Sequence, residues 1–249
     1  MAPANNTVLI TGGSRGIGAA TAVIAAREGF DVAVNYLTNA AAAHQIVQAV
    51  ERRGRKAVAI QGNMGNPADI PRIIHQAEEA LGPLSALVNN AGITGPIGQF
   101  SSTTDEMIAQ VFQVNVLGLM HCCRLAIESF IQNNIDGVIV NVSSAAARTG
   151  SPGEYVHYAA SKAAVETFTI GLAREIAVEN IRVCAVSPGS TLTDIHATAG
   201  EPGRPQRVAP RIPMGRLAQP EEIGEAIVWL LTPQASYMTG TVLNCAGGI

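Results

Sequence analysis

Near the amino end, Thr7-Val8-Leu9-Ile10 is a β-branched run that passes directly into Thr11-Gly12-Gly13-Ser14-Arg15-Gly16-Ile17-Gly18 and then into an alanine-rich stretch, Ala19 to Glu28. A strand, a tight glycine turn and a helix N-terminus in that order leave few folds open. Such a turn lets the backbone come close to a pyrophosphate, with free N–H groups and the positive end of a helix facing it. The spacing Gly12-x-x-x-Gly16-x-Gly18 differs from the common G-x-G-x-x-G pattern. It is not a P-loop either, because no Lys-Ser or Lys-Thr follows the glycines.

The rest of the chain keeps the same rhythm. Strands are expected at Val32–Tyr36, Lys56–Gln61, Leu84–Asn89, Gly137–Val142, Ile181–Ser187 and Thr241–Cys245. Between them fall helices at Ala40–Arg53, Pro67–Leu81 (with Pro67 in its first turn), Thr104 to about Asn133, a helix carrying Tyr158, and Pro220–Leu231. Alternation of this kind argues for a parallel sheet with helices on both faces. Hydrophobic residues make up 47% of the 249 positions and aromatics only 4%, so the core is built from Ala, Val, Ile and Leu. That suits strands buried on both faces. From Ser190 to Arg216 the rhythm fails, and Gly, Pro, Arg and Thr dominate. A long irregular connection after a strand's carboxyl end, where open α/β sheets bind ligands, reads as a substrate lid.

Several partner classes are excluded. A formal charge of −3 leaves no basic stripe for nucleic acid. The polar segment Met1–Asn6 is not a signal peptide, and Gly, Pro, Asn and Ser interrupt the uncharged stretch Ala80–Thr104, so no membrane span is expected. Of four cysteines, Cys122 and Cys123 are neighbours and Cys184 and Cys245 fall in expected strands, as buried thiols of a cytoplasmic protein would. The five histidines are scattered. In His121-Cys122-Cys123, consecutive helical residues point in different directions, so no metal site is expected.

Chemistry enters with Tyr158-Ala159-Ala160-Ser161-Lys162. Four residues apart on a helix, the phenol and the ammonium share a face. A neighbouring cation favours the phenolate and draws its pKa down from ~10, towards a value suited to proton exchange with a carbonyl or an alcohol.

Together with the glycine turn and the Tyr-x-x-x-Lys pair, the segments Asn89-Asn90-Ala91-Gly92, Asn115, Asn141-Val142-Ser143-Ser144 and Ser187-Pro188-Gly189 occur in one order. In that order the chain resembles a short-chain dehydrogenase/reductase along its whole length. The resemblance implies a single-domain, Rossmann-like, doubly wound parallel sheet over 1–249, with the lid around 190–216. It implies Tyr158 as proton donor, Lys162 on the nicotinamide ribose, and Ser144 (rather than its neighbour Ser143) on the substrate oxygen. Asn115 matches the family's helix-kinking asparagine behind a water relay to the lysine. Gly12, Ser14, Arg15, Ile17 and Gly18 would surround the pyrophosphate and adenosine side. Asn63, where the family often has Asp, and Met64 would flank the adenine. Asn90 and Gly92 would follow the ribose, and Pro188, Gly189, Thr191 and Thr193 the nicotinamide.

Cofactor choice turns on the end of the second strand, where an acid would bond the ribose 2′-hydroxyl of NAD. Val34-Asn35-Tyr36-Leu37-Thr38-Asn39 holds no acid, and Tyr36 stands where the family's selective Asp would. Arg15 supplies a cation, and Thr38 and Asn39 supply neutral hydrogen bonds, so NADP is expected over NAD. The implied activity is hydride transfer between NADP(H) and a carbonyl/alcohol substrate, in a homotetramer. Asp194, His196, Glu201 and Arg204 tilt the substrate towards a sugar or polyol. A 3-oxoacyl thioester reductase, and a nucleotide-sensing protein without turnover, are the alternatives.

Overall fold

A computed structural model describes residues 6–249, apart from the side chain of His196; Met1–Asn5 of the polar amino end, and His196 as a lid residue, therefore fall outside it. In chain order the elements are β1 (Thr7–Ile10), α1 (Gly16–Arg27), β2 (Asp31–Tyr36), α2 (Ala40–Glu51), β3 (Ala57–Gln61) and α3 (Asp69–Leu81). There follow β4 (Ala86–Asn89), α4 (Asp105–Phe112), α5 (Leu119–Gln132), β5 (Val138–Val142), α6 (Ala146–Thr149) and α7 (Val156–Ile176). The remainder is β6 (Arg182–Pro188), α8 (Ile195–Thr198), α9 (Arg204–Val208), α10 (Pro220–Leu231) and β7 (Val242–Cys245).

The seven strands form one parallel sheet in the order β3-β2-β1-β4-β5-β6-β7. The chain builds outward from β1 to β3, then returns to place β4 on the other side of β1. Ligands bind at such a reversal, outside the carboxyl ends of the strands. Period-two alternation assigns the two cores. Val8 and Ile10 enter one with Val32, Val34 and helices α1 and α10; Leu9 enters the other with Leu87, Ile139 and helices α3, α5 and α7.

Three expectations about elements need correction. Helix α3 starts at Asp69, not Pro67: Asn66 turns the chain first, its side chain accepting from Ala68 N at 3.2 Å, so the proline in the first turn is Pro71. The long helix after β4 is two helices joined by a π-helical segment, Gln113–Gly118. The 190–216 segment is not structureless, since α8 and α9 lie within it. The run Asp105–Gln132 has the length and hydropathy of a membrane span, but half of its most apolar window is buried in the protein. It is a core helix pair.

Candidate active site

One cavity of about 1030 Å³ lies over the carboxyl ends of the strands, at the reversal between β1 and β4. Two loops build its floor by holding each other. The Asn90 amide donates to the carbonyls of Thr11 and Gly12, both at 3.0 Å, and the Thr11 hydroxyl accepts from Asn90 N and Ala91 N, both at 3.0 Å. Asn35 completes the brace, its side-chain oxygen accepting from Gly12 N at 3.2 Å. Gly12 and Gly16 have φ of +61° and +53°, conformations that favour glycine, so at these two positions the turn passes under the cavity without a side chain. The first amides of α1 face out of this turn with no intrahelical partner, which is a cradle for a phosphate.

Ser14, Arg15, Ile17, Thr38, Asn39, Asn63 and Met64 line this cavity, as do Gly12, Asn90, Gly92, Pro188, Gly189, Thr191 and Thr193. Some already have work to do. The Asn39 side chain caps α2 by accepting from Ala42 N at 2.9 Å, and the Asn63 side chain accepts from Gly65 N at 2.8 Å. Arg15 is exposed and has no carboxylate partner among the described residues.

Two expected cofactor contacts do not line the cavity. Tyr36 follows Val32 and Val34 onto the core face of β2 and is 9% exposed; Leu37, one residue on, takes the place at the wall. Gly18 lies beneath the turn. A Cβ there would sit 2.4 Å from the Gly12 carbonyl oxygen and 2.5 Å from Asn90 Nδ2, so the missing side chain lets the helix pack closely on the turn.

At the other end of the cavity, α7 presents Tyr158 and Lys162, and the segment after β5 presents Ser144. Of the two adjacent serines, Ser143 donates to Glu166 Oε1 at 2.9 Å, while Ser144, whose hydroxyl accepts from Ala146 N at 3.2 Å, lines the cavity beside Tyr158 and lowers the pKa of its phenol. Lys162 is buried and donates to the Val142 carbonyl at 2.7 Å, with Nζ 5.8 Å from the centre of the Tyr158 ring. The π-helical segment places Asn115 behind it. The Asn115 side chain exchanges two bonds with the Ile93 backbone, both 2.9 Å, and donates to Ser161 Oγ at 3.0 Å. Lys162 Nζ and Asn115 Oδ1 both border Gly92, where a Cβ would stand 3.4 and 3.3 Å from them.

The expected electrostatics are reversed. Burial pushes the Tyr158 phenol up to about 12; Ser144 opposes this, Tyr155 adds to it, and Arg204 opposes it. Burial also lowers Lys162 to about 8. Desolvation of both groups outweighs their mutual effect, because the ammonium is bonded to a carbonyl rather than to the phenol.

Sequence reading missed the wall beside Tyr158. Tyr155 meets the Tyr158 ring edge-on, with centroids 5.2 Å apart and planes at 84°. Arg204 Nη2 donates to Tyr155 Oη at 2.7 Å and pairs with Glu154 Oε2 at 2.6 Å. Against burial, which raises it, Arg204 and Arg207 hold the Glu154 carboxyl below the usual carboxylate range. Of the expected polar lid residues, Asp194 and Arg204 line the cavity, whereas Glu201 turns to Arg207 at 2.6 Å. Among the described residues there is no cluster of metal-ligating side chains.

The comparisons agree over nearly the whole chain. A family model described as "Enoyl-(Acyl carrier protein) reductase" matches residues 12–249. An uncharacterized oxidoreductase of Escherichia coli (strain K12), YgfF, is 47% identical over 96% of this chain and 98% of its own. A 3beta-hydroxysteroid dehydrogenase 1 of Eggerthella lenta is 36% identical, with 98% and 93% covered. An L-rhamnose 1-dehydrogenase (NAD(P)(+)) of Sphingomonas sp. is 34% identical, with 98% and 95% covered. Among solved structures, a short chain dehydrogenase from Burkholderia cenocepacia in complex with NADP superposes with a TM-score of 0.90 at 33% identity, over 97% of this chain and 96% of the other.

Proposed function

This chain belongs to the short-chain dehydrogenase/reductase family and is an NAD(P)-dependent oxidoreductase acting on a small molecule; from that premise we propose that it uses NADP(H) to interconvert a ketone or aldehyde with an alcohol, on a small hydroxylated substrate such as a sugar or polyol. The observation that carries this reading is the meeting of Tyr158, Ser144 and Lys162 at one end of a single cavity whose other end is the glycine cradle.

The cradle fits a dinucleotide: Gly12 and Gly16, at positive φ, leave room for close backbone approach, and a helix N-terminus, with its unpaired first amides, follows directly. Bound there, the nicotinamide supplies or accepts the hydride. The residues do the rest. Ser144 holds the substrate's reacting oxygen beside the phenol, and Tyr158 gives that oxygen its proton in reduction and takes it back in oxidation. Lys162 holds the cofactor ribose, with Asn115 behind it. Residues 190–216 act as the lid, a role supported by the bond from Ile97 N to Ala199 O at 3.0 Å and by the pairing of Arg204 with Glu154.

The preference for NADP rests on Arg15, an exposed guanidinium at the adenosine end, and on a wall of Leu37, Thr38 and Asn39 without an acid. Calorimetric titration of ligand-free protein should show NADPH binding about tenfold tighter than NADH, roughly 1.4 kcal/mol. Arg15→Ala should weaken NADPH more than NADH. Equal affinities, or tighter NADH, would sink the assignment.

A second reading, reduction of a 3-oxoacyl thioester, draws support from the family model's description and from the apolar Ile97, Ile195, Val208 and Ile212 around the cavity. Turnover of an acyl thioester in preference to every sugar tested would select it. The cytoplasm is the proposed compartment, because Cys122, Cys123, Cys184 and Cys245 are all free thiols. A homotetramer is the proposed assembly, since Trp229 and Tyr237 expose large apolar surface near the last strand.

A further inference from the structure

The Arg204–Glu154 pair is an uncommon thing to bury beside a cavity. Arg204 is 7% exposed and sits on α9 within the 190–216 segment, fifty residues from its partner. As a way of holding the segment down, an ion pair of this kind has little advantage, because desolvating two charges offsets most of their attraction and apolar side chains would hold it as well. What apolar side chains would not supply is the geometry. One nitrogen of the guanidinium bonds both Glu154 and the Tyr155 hydroxyl, and the group lies over the Tyr155 ring, 5.3 Å from its centre. Tyr155 in turn meets Tyr158 edge-on.

We infer that Arg204 is a positioning residue for the proton donor: through Tyr155 it fixes the ring of Tyr158, so that the 190–216 segment and the Tyr158 phenol take up their working arrangement together. This rests on the reading of Tyr158 as proton donor. The surroundings of the phenol narrow the alternatives. Ser144 reaches it from the segment after β5, Tyr155 from the turn before α7, and Lys162 from its own helix, but Lys162 is bonded to Val142 O. Arg204, with Glu154 behind it, is the cation that opposes the effect of burial on Tyr158. A lysine would keep that charge but lose the planar group that stacks and forks.

The test compares Arg204→Lys, Arg204→Leu and Tyr155→Phe with wild type, and uses Tyr158→Phe as the reference. The probes are NADPH and the best-reduced compound of a panel of simple aldehydes, ketones and ketoses. Misplacing a reacting group by an ångström costs up to about 100-fold, so Arg204→Leu should lose roughly 10–100-fold in kcat with KM little changed. The falling limb of its pH profile should move to higher pH. Arg204→Lys should restore the limb but only part of kcat, and Tyr155→Phe, which removes a group that raises the Tyr158 pKa, should lose part of kcat with the limb moved to lower pH. If Arg204→Leu does not fold, the Lys and Phe variants decide by the same criteria. A rise in KM alone would make Arg204 a substrate-binding group, and full kcat with an unmoved limb would make it only a lid fastener; either result overturns the inference while leaving Tyr158 its role. Activity retained in Tyr158→Phe would remove the premise instead.

Discussion

A single methyl group at Gly18 should dismantle the cofactor end of the site. In Gly18→Ala the new Cβ would stand 2.4 Å from Gly12 O, 2.5 Å from Asn90 Nδ2 and 3.0 Å from Gly13 Cα. Two of these three atoms are backbone, so no side-chain rotation relieves them, and α1 must move off the turn by about an ångström. Overpacking of this kind costs about 1–3 kcal/mol. The Asn90 amide, which bonds Thr11 O and Gly12 O, would be displaced as well, at about 0.5–1.5 kcal/mol for each bond. The total is roughly 2–6 kcal/mol, some of it lost from stability and some from the shape of the cradle. Calorimetry should show NADPH affinity reduced about 100-fold, which is ~2.7 kcal/mol, and a melting temperature about 10 °C lower. Gly171→Ala is the control: it lies within α7 with nothing inside 4 Å of its Cβ position and should stabilise by about 0.5–1 kcal/mol. NADPH affinity of Gly18→Ala within threefold of wild type would refute this account of the turn.

Lys162 predicts a pH dependence of stability. Burial holds it down to about 8 from its ordinary 10.5, so between those values the unfolded chain binds a proton that the folded chain does not. Stability contributed by this lysine is therefore lowest below about pH 8 and rises towards pH 10.5. Denaturant melts should show wild type gaining on Lys162→Met by roughly 2–3 kcal/mol across that window, and a gap flat with pH would contradict the burial. Light scattering should return about four times the 25.8 kDa of one chain, and a mass near one chain at micromolar concentration would remove the tetramer.

What was legible in the sequence was what local pattern decides. The parallel sheet followed from apolar runs separated by helical stretches, because the five inner strands are buried almost throughout and so are mostly apolar, while the edge strands β3 and β7 are only partly covered. The glycine turn and the Tyr158–Lys162 pair were readable for the same reason: each depends on residues within eight positions. The misses are contacts across sequence distance. Gly18 looked like a ligand contact because its proximity to Asn90 lies seventy-two residues away. The kink expected at Asn115 is a π-helical segment in which Asn115 bonds the distant backbone of Ile93, and the Arg204–Glu154–Tyr155 wall joins α9 to the turn before α7, which nothing in the sequence links. Tyr36 lies with the core by alternation, since it shares the parity of Val32 and Val34. The Tyr158 pKa failed on desolvation, which proximity of Tyr and Lys in sequence does not reveal.

The central claim is that this cavity moves a hydride and a proton together, with Tyr158 handling the proton. The direct measurement is NADPH oxidation by wild type and Tyr158→Phe on the best carbonyl compound of a broad panel, alongside NADPH binding by each. The account predicts turnover lower in the variant by at least ~10²-fold with cofactor affinity nearly unchanged. A folded Tyr158→Phe protein that keeps most of the wild-type rate would contradict it.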